Sequence, residues 1–447
     1  MRTVIDGAAL ADGSGVEHAA GHVIIEDGWI AAVGDGPAPP VEADRHVDGR
    51  GCLVTPGFVN THHHLYQWAT RGYAVDSDLF NWLITLYPVW EGLDESMVGA
   101  AAAAGLARLA RTGCTTVADH HYVFPRDGGD VFGALVEAGA RIGTRLEAVR
   151  GSMDRGVSHG GLPPDSLVET LDGALSGTAA AIERHHDPAP DSRLRVSVGP
   201  CSPFSVTTDL MREAGLLARQ QAVRLHTHLA ETLDEEKQCQ AEFGCTPVEY
   251  AERVGWIGPD VWLAHGVHLD PDAVALFGRT GTGVAHCPTS NARLASGIAP
   301  VVALLAAGAP VGLGVDGAAS NEDGGLVVEL RQAVWLARLG GRPDALTARQ
   351  ALRLATAGGA ACLGRAGEIG ALRPGLLADL AVWDLSTMDH AGIADPVTAL
   401  VFGPIPPLAL LLVGGETVVE RDELRTADET ALAADLRRAS AALASRA

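Results

Sequence analysis

The chain has 447 residues, 47% of them apolar, and a formal net charge of −22; that length exceeds one ordinary core and predicts a large domain plus a smaller one. The acidic balance, with no long basic run to offset it, repels phosphate backbones and excludes nucleic-acid polymers as partners. Cysteines 52, 114, 201, 239, 245, 287 and 362 have neither zinc-knuckle nor CxxC spacing, no leader pattern opens the chain, and no apolar run nears the ~20 residues that span a bilayer; a soluble, cytoplasmic protein with reduced thiols and no membrane partner is expected.

The first fifty-odd residues alternate apolar and polar between turn residues, as in HVIIEDGWIAAVGDG, and predict short antiparallel strands. From residue 56 the texture changes to short apolar, β-branched runs separated by Ala/Leu-rich stretches of helical period. Eight such runs follow in order: 58–64, 115–121, 145–151, 195–201, 224–230, 261–267, 283–289 and 311–317. Eight strands over roughly 300 residues, most followed by a helix, predict a (β/α)8 barrel of the TIM type rather than a doubly wound sheet. Strand-like texture returns in LRPGLLADLAVWDL and LALLLVGGETVVERDEL. The expected organisation is a small β-sandwich built from residues 1–55 and 367–447, the latter with a C-terminal helix, around a barrel at 56–366.

Catalytic side chains of such a barrel stand at the C-terminal ends of its strands. There the sequence places His62, His63 and His64 on strand one, His226 and His228 with Glu231 just beyond on strand five, His265 on strand six and Asp316 on strand eight. Residues i and i+2 of a strand share a face, so His62 and His64 can aim at one ion while His63 points away. Strand five repeats the parity, and its geometry leaves open whether His226 or His228 is the ligand. Three imidazoles and a carboxylate suit Zn(II) or Fe(II), ions that can lower the pKa of a bound water to about 7. Strand four, RVSVGPC, has no lysine to bridge two ions, and the only lysine of the chain is Lys237; one divalent ion per chain is expected. The GxGxxG match in GLGVDG, 312–317, is read as a strand ending in Asp316 rather than a nucleotide loop.

The blocks PGFVNTHHHLYQ, RLHTHLAET, VWLAHGVHLD, GVAHCPTSNARLASGIAP and GLGVDGAASNEDGG resemble the amidohydrolase superfamily, in its branch of aromatic deaminases and triazine hydrolases, over essentially the whole chain. The resemblance implies metal ligation by His62, His64, His228 and Asp316, a proton shuttle at Glu231, and a hydrogen bond from His265 to the attacking water or the tetrahedral centre. His226 is then left to support or packing. Within the branch, GCTTVADHHYVFP, VRGSM, GGLPPDS and PCSPFSVTTDLM look most like 8-oxoguanine deaminases. Two stretches depart from that pattern: SNEDGG stands where SND followed directly by Gly is expected, and MDRGVSHGG is rearranged.

The implied activity is deamination of a purine-like heterocycle, 8-oxoguanine to urate and ammonia, by a homo-oligomeric enzyme acting on a free small molecule. Triazine hydrolysis and pterin or guanine deamination are the alternatives within the class, and a metal-free scaffold is the alternative outside it; retention of all four ligands and Glu231 argues against the scaffold. For substrate binding the sequence offers Gln67, whose amide both donates and accepts, and Trp90, placed in a loop LYPVWEG where it could stack on a flat ring.

Overall fold

In the computed structural model, which describes residues 1–446, the strands Phe58–Asn60, Cys114–His121, Arg145–Ser152, Leu194–Pro200, Leu225–Leu229, Val261–His265, Gly283–His286 and Val311–Leu313 close into one parallel barrel. The eighth strand returns to the first through the pair Leu313 and Asn60. All eight fall on the eight runs read from the sequence. Every residue of Cys114–His121 and of Arg145–Ser152 is buried, because one face fills the barrel and the other meets the surrounding helices.

The helices begin and end on local chemistry. Asp130 accepts from the Gly133 amide to start Val131–Ile142, and Gly143 ends it at φ 86°, a conformation that favours glycine. The stretch expected to be a loop after the first strand is instead a helix, Leu79–Trp90, capped by Asp78. Pro88 sits in its last turn and forfeits one backbone hydrogen bond there. Burial of Leu79, Trp82, Leu83, Leu86, Tyr87 and Trp90 outweighs that loss.

Strands from both ends of the chain share a separate nine-stranded sheet. The N-terminal strand Cys52–Pro56 pairs antiparallel with the C-terminal Leu380–Asp384, Val54 opposite Val382. Its apolar face holds its own core, with Ile5, Val23, Val54, Leu380, Val382 and Leu410 buried together. The helix Glu429–Arg446 lays Leu432, Ala439 and Leu443 inward, and Arg446 pairs with Asp94 at the start of the helix Glu95–Arg111. None of the described helices is long and apolar enough to cross a membrane.

One ion pair joins sheet to barrel. Arg145, at the start of the third barrel strand, meets Asp379 through Nε at 2.7 Å and Nη2 at 3.0 Å, with both side chains 1% exposed. The remaining guanidinium hydrogens reach the Asp191 and Ser192 carbonyls, and Asp379 also accepts from the Gly414 amide. Removing one partner of such a pair strands a buried charge: Asp379→Ala is expected to cost about 3–5 kcal/mol of stability, whereas the double apolar replacement Arg145→Met with Asp379→Leu should recover most of it. Thermal and urea unfolding of the three proteins measure this, and a loss in the single variant under about 1 kcal/mol would contradict it.

Candidate metal centre and active site

The rim of the barrel gathers the strand-end residues into one buried cluster. His62, His64 and His228 turn their Nε2 atoms toward one point: His64 Nε2 lies 3.0 Å from His228 Nε2, and Asp316 Oδ1 lies 3.3 Å from both His62 Nε2 and His64 Nε2. His63 turns away against Trp68, and its backbone pairs with that of Asp316, which brings strand one and strand eight together at the rim.

The tautomers follow from the partners behind the rings. His64 Nδ1–H donates to the His120 carbonyl at 2.7 Å and His228 Nδ1–H to the Cys201 carbonyl at 2.6 Å. His226 Nδ1–H donates to the Trp262 carbonyl at 2.8 Å, so its Nε2 is an acceptor and takes the Nδ1–H of His62 at 2.8 Å. All three Nε2 atoms therefore present lone pairs inward, and that of His62 has no hydrogen-bond partner. Lone pairs 3.0 Å apart beside a buried carboxylate repel unless a cation stands among them. The donor set fits a divalent metal ion, with the hydrogen-bonded ring orientation usual for metal-bound histidine.

Strand five is thus divided in the way that strand parity alone left open: His228 faces the cluster, and His226 lies behind His62, stacked on Trp262 at 4.4 Å. The sequence reading missed His120. It is fully buried at the end of the second strand, it stacks on His228 at 5.0 Å, and its Nε2–H donates to the Gly199 carbonyl. His62, His120 and His228 all lie within reach of one ion by distance; the Nδ1 of His120 has no partner, and its ring packs on His228. Its position at a strand end in TTVADHH was the available signal.

Beside the cluster, His265 Nε2 lies 3.5 Å from Glu231 Oε2 and 3.9 Å from Asp316 Oδ2. Burial raises the Glu231 carboxyl to about 7, against the opposing effect of His265. Burial acts to lower His265, but the Glu231 and Asp316 carboxylates outweigh it and hold the imidazole above its ordinary value. Glu235, also missed from sequence, is 1% exposed and accepts from the backbone amides of Ala230 and Glu231 at 2.9 and 2.8 Å, fixing the turn that carries Glu231.

These groups open onto a cavity walled by Leu79, Trp82, Leu83, Tyr87, Tyr122 and Phe204, with Gln67, Cys201 and Leu294 completing it; among the described residues no arginine or lysine lines it. Gln67 is 1% exposed and neither of its amide atoms has a partner. It packs on Gly317, where a Cβ would fall 1.7 Å from its Oε1, so only glycine leaves the amide its place. Trp90 does not line the cavity. The wall takes Leu79, Trp82, Leu83 and Tyr87 from one helix face, and Trp90, a turn further on, lies past the cavity's edge with its Nε1–H donated to Thr70 Oγ1. Trp82 occupies the position expected of Trp90.

The two stretches that depart from the expected loop pattern both serve as clasps. Glu322 of SNEDGG pairs with Arg293 at 3.1 Å, and Arg293 and Arg71 tie the strap ahead of the helix Leu79–Trp90 to the loop after strand eight. Arg155 of MDRGVSHGG pairs with Glu242 at 2.7 Å.

A barrel carrying this cluster on its rim has the form of a metal-dependent hydrolase. The sequence profile described as "Amidohydrolase family" matches residues 53–418, and the chain belongs to that family. It is accordingly a metal-dependent enzyme of the hydrolytic deaminase kind. The chain is 45% identical over 436 residues to an 8-oxoguanine deaminase of Pseudomonas aeruginosa, covering 95% of each. It is 36% identical to an isoxanthopterin deaminase from an unknown prokaryotic organism, over 92% of this chain and 90% of the relative. Among solved structures, an atrazine chlorohydrolase of Arthrobacter aurescens TC1 complexed with zinc superposes with a TM-score of 0.93 at 31% identity, covering 98% of this chain and all of that one.

Because His226 fixes the tautomer of His62 without facing the cluster, His226→Phe should keep the stack on Trp262 and weaken metal binding by about 10–100-fold. Competition with a chelator measures it, and unchanged affinity would show that the His62 ring needs no such partner.

Proposed function

We propose that the enzyme binds one zinc ion through His62, His64, His228 and Asp316 and hydrolyses 8-oxoguanine at its 2-amino carbon, giving urate and ammonia. The observation that carries the substrate reading is the cavity itself: flat apolar walls, no basic side chain for a phosphate or carboxylate, and the unpaired Gln67 amide facing the working groups. An amide with a free donor and a free acceptor matches the edge of a purine base. The 45% identity to a protein named for that activity supports the same reading. The seven unpaired cysteines suit a reducing cytoplasm, which is where we place the reaction.

The bound ion would supply Lewis acidity, making hydroxide accessible near neutral pH. The side chains do the rest. The oxygen of water bonds to C2, and the C2–N bond to the exocyclic amine breaks. Glu231, with its carboxyl raised to about 7, can both take and give a proton near neutral pH: as the carboxylate it accepts a proton from the attacking water and passes it to the adjacent ring nitrogen, then moves the proton of the new C2 hydroxyl to the amine, so that the carbonyl forms and ammonia leaves. His265, between Glu231 and Asp316, hydrogen-bonds the attacking oxygen. Gln67 holds the ring edge, and Trp82 and Phe204 flank the ring.

Metal analysis of the purified protein is expected to find about one tightly held divalent ion per chain, since a mononuclear site of this kind has no bridging lysine; two catalytically required ions would overturn that stoichiometry. Glu231→Gln keeps size and hydrogen bonding but cannot shuttle a proton, so turnover should fall at least ~100-fold with metal content unchanged. Near-normal turnover in that variant would move the proton route to another group.

Ammonia or chloride release under one metal loading, across 8-oxoguanine, guanine, isoxanthopterin and a chloro- or alkylamino-triazine, tests the substrate. The expected order puts 8-oxoguanine first, because groups left unpaired by a wrong ligand in a buried site cost orders of magnitude in rate. Triazine hydrolysis is the competing reading, favoured by the likeness to the atrazine chlorohydrolase. Faster turnover of the triazine, or of guanine or isoxanthopterin, would replace the assignment while leaving the hydrolytic chemistry in place.

A further inference from the structure

The seventh barrel strand, Gly283–His286, delivers none of the groups assigned to metal binding or proton transfer, yet the segment after it touches three groups delivered by other strands. Ser290 Oγ donates to Asp316 Oδ2 at 2.5 Å, Asn291 Oδ1 accepts from His265 Nδ1–H at 2.9 Å, and Ser296 Oγ reaches Glu231 Oε1 at 3.5 Å. Strands eight, six and five are thereby tied to one stretch of ten residues, CPTSNARLAS, 287–296. Ser290 and Asn291 are both fully buried and do not line the cavity.

External restraint is needed here for a backbone reason. His265 and Asp316 sit at φ 74° and 60°, in the left-handed region that side chains other than glycine seldom adopt. At such residues the pleat of the strand no longer sets the direction of the side chain. The stretch is itself anchored: Glu329, fully buried, accepts from the Thr289 amide at 3.0 Å and from Asn321 Nδ2 at 2.8 Å, and Asn321 Nδ2 also donates to the Val315 carbonyl at 2.9 Å. One carboxylate outside the cavity thus joins the turn holding Asn291 to the loop carrying Asp316.

We infer that residues 287–296 are the positioning element of the reaction, and that Asn291 is a positioning residue that keeps the His265 proton on Nδ1 and turns Nε2 toward Glu231 and the metal carboxylate. This rests on the proposed roles of Glu231, His265 and Asp316, and extends them to a segment that contributes no ligand.

Two substitutions separate the hydrogen bond from the packing: Asn291→Leu keeps the volume and removes the acceptor, and Asn291→Asp keeps an acceptor in the same place. On whichever compound the enzyme turns over fastest, Asn291→Leu is expected to lower kcat about 10–100-fold, with KM and metal content near wild type, and Asn291→Asp to restore most of it. Long-range 1H–15N spectra of histidine-labelled protein, recorded at a pH above the raised His265 titration so that the ring is neutral and with His265→Gln used for assignment, should show His265 protonated on Nδ1 in the wild type and a mixture of tautomers in Asn291→Leu. An unchanged kcat in the leucine variant, equal loss in both variants, loss of metal, or an Nε2–H tautomer in the wild type would each overturn the inference. If the leucine variant does not fold, the wild-type spectrum decides alone; it needs no substrate, so an error in the substrate assignment leaves it standing.

Discussion

Four electron-rich atoms face one another in a buried space, and much of the structure around them is arranged to keep them so. Imidazole nitrogens 3.0 Å apart, both without a proton, would separate or protonate in water. Here separation is opposed, because the Nδ1–H of His64, of His228 and of His62 is committed to the His120 carbonyl, the Cys201 carbonyl and His226 Nε2. Burial drives the same histidines toward their neutral forms. The result is a site whose repulsion is relieved by a divalent cation, so metal binding and the fold of the rim are coupled.

The layer behind the cluster draws on parts of the chain far apart in sequence. His226, Trp262 and Cys201 come from three different strands or their ends, and the acceptors they offer, the His226 Nε2 and the Trp262 and Cys201 carbonyls, are brought behind the cluster because the parallel barrel directs its strand termini to one rim. The Arg145 and Asp379 pair at the opposite end locks the terminal sheet to the same strands. Over the rim, the helix Leu79–Trp90 supplies the apolar wall, and the clasp of Glu322 with Arg293 ties the strap leading into it to the loop that carries Asp316.

The cavity that results joins two environments. On one side stand Glu231, His265 and Asp316, groups whose charge and proton affinity are set by burial and by one another. On the other stand aromatic and aliphatic walls interrupted by a single amide with nothing to bond, Gln67. The proposed substrate, a neutral, flat, hydrogen-bonding heterocycle, is matched to both.

Much of this was legible in the residues themselves. Eight short apolar, β-branched runs, several of them closing on histidine or aspartate, are a local property of the chain, and they pointed to the barrel, the rim and the membership of His62, His64, His228, Glu231, His265 and Asp316 in one neighbourhood. What the sequence left open was every question of direction. Strand parity made His226 and His228 equal until the neighbouring strands placed a carbonyl behind each ring. Trp90 was placed in the loop LYPVWEG; Pro88 within that stretch ordinarily disfavours a helix, and the burial that keeps this one helical belongs to the assembled core. Glu235, His120 and Asn291 act through partners 4, 79 and 26 residues away in turn, bonded across turns or strands that the closed barrel brings together. The sequence alone determined which side chains the strands deliver; tertiary structure decided which way they face, because a lone pair or a proton is aimed by the group that hydrogen-bonds the opposite side of the ring.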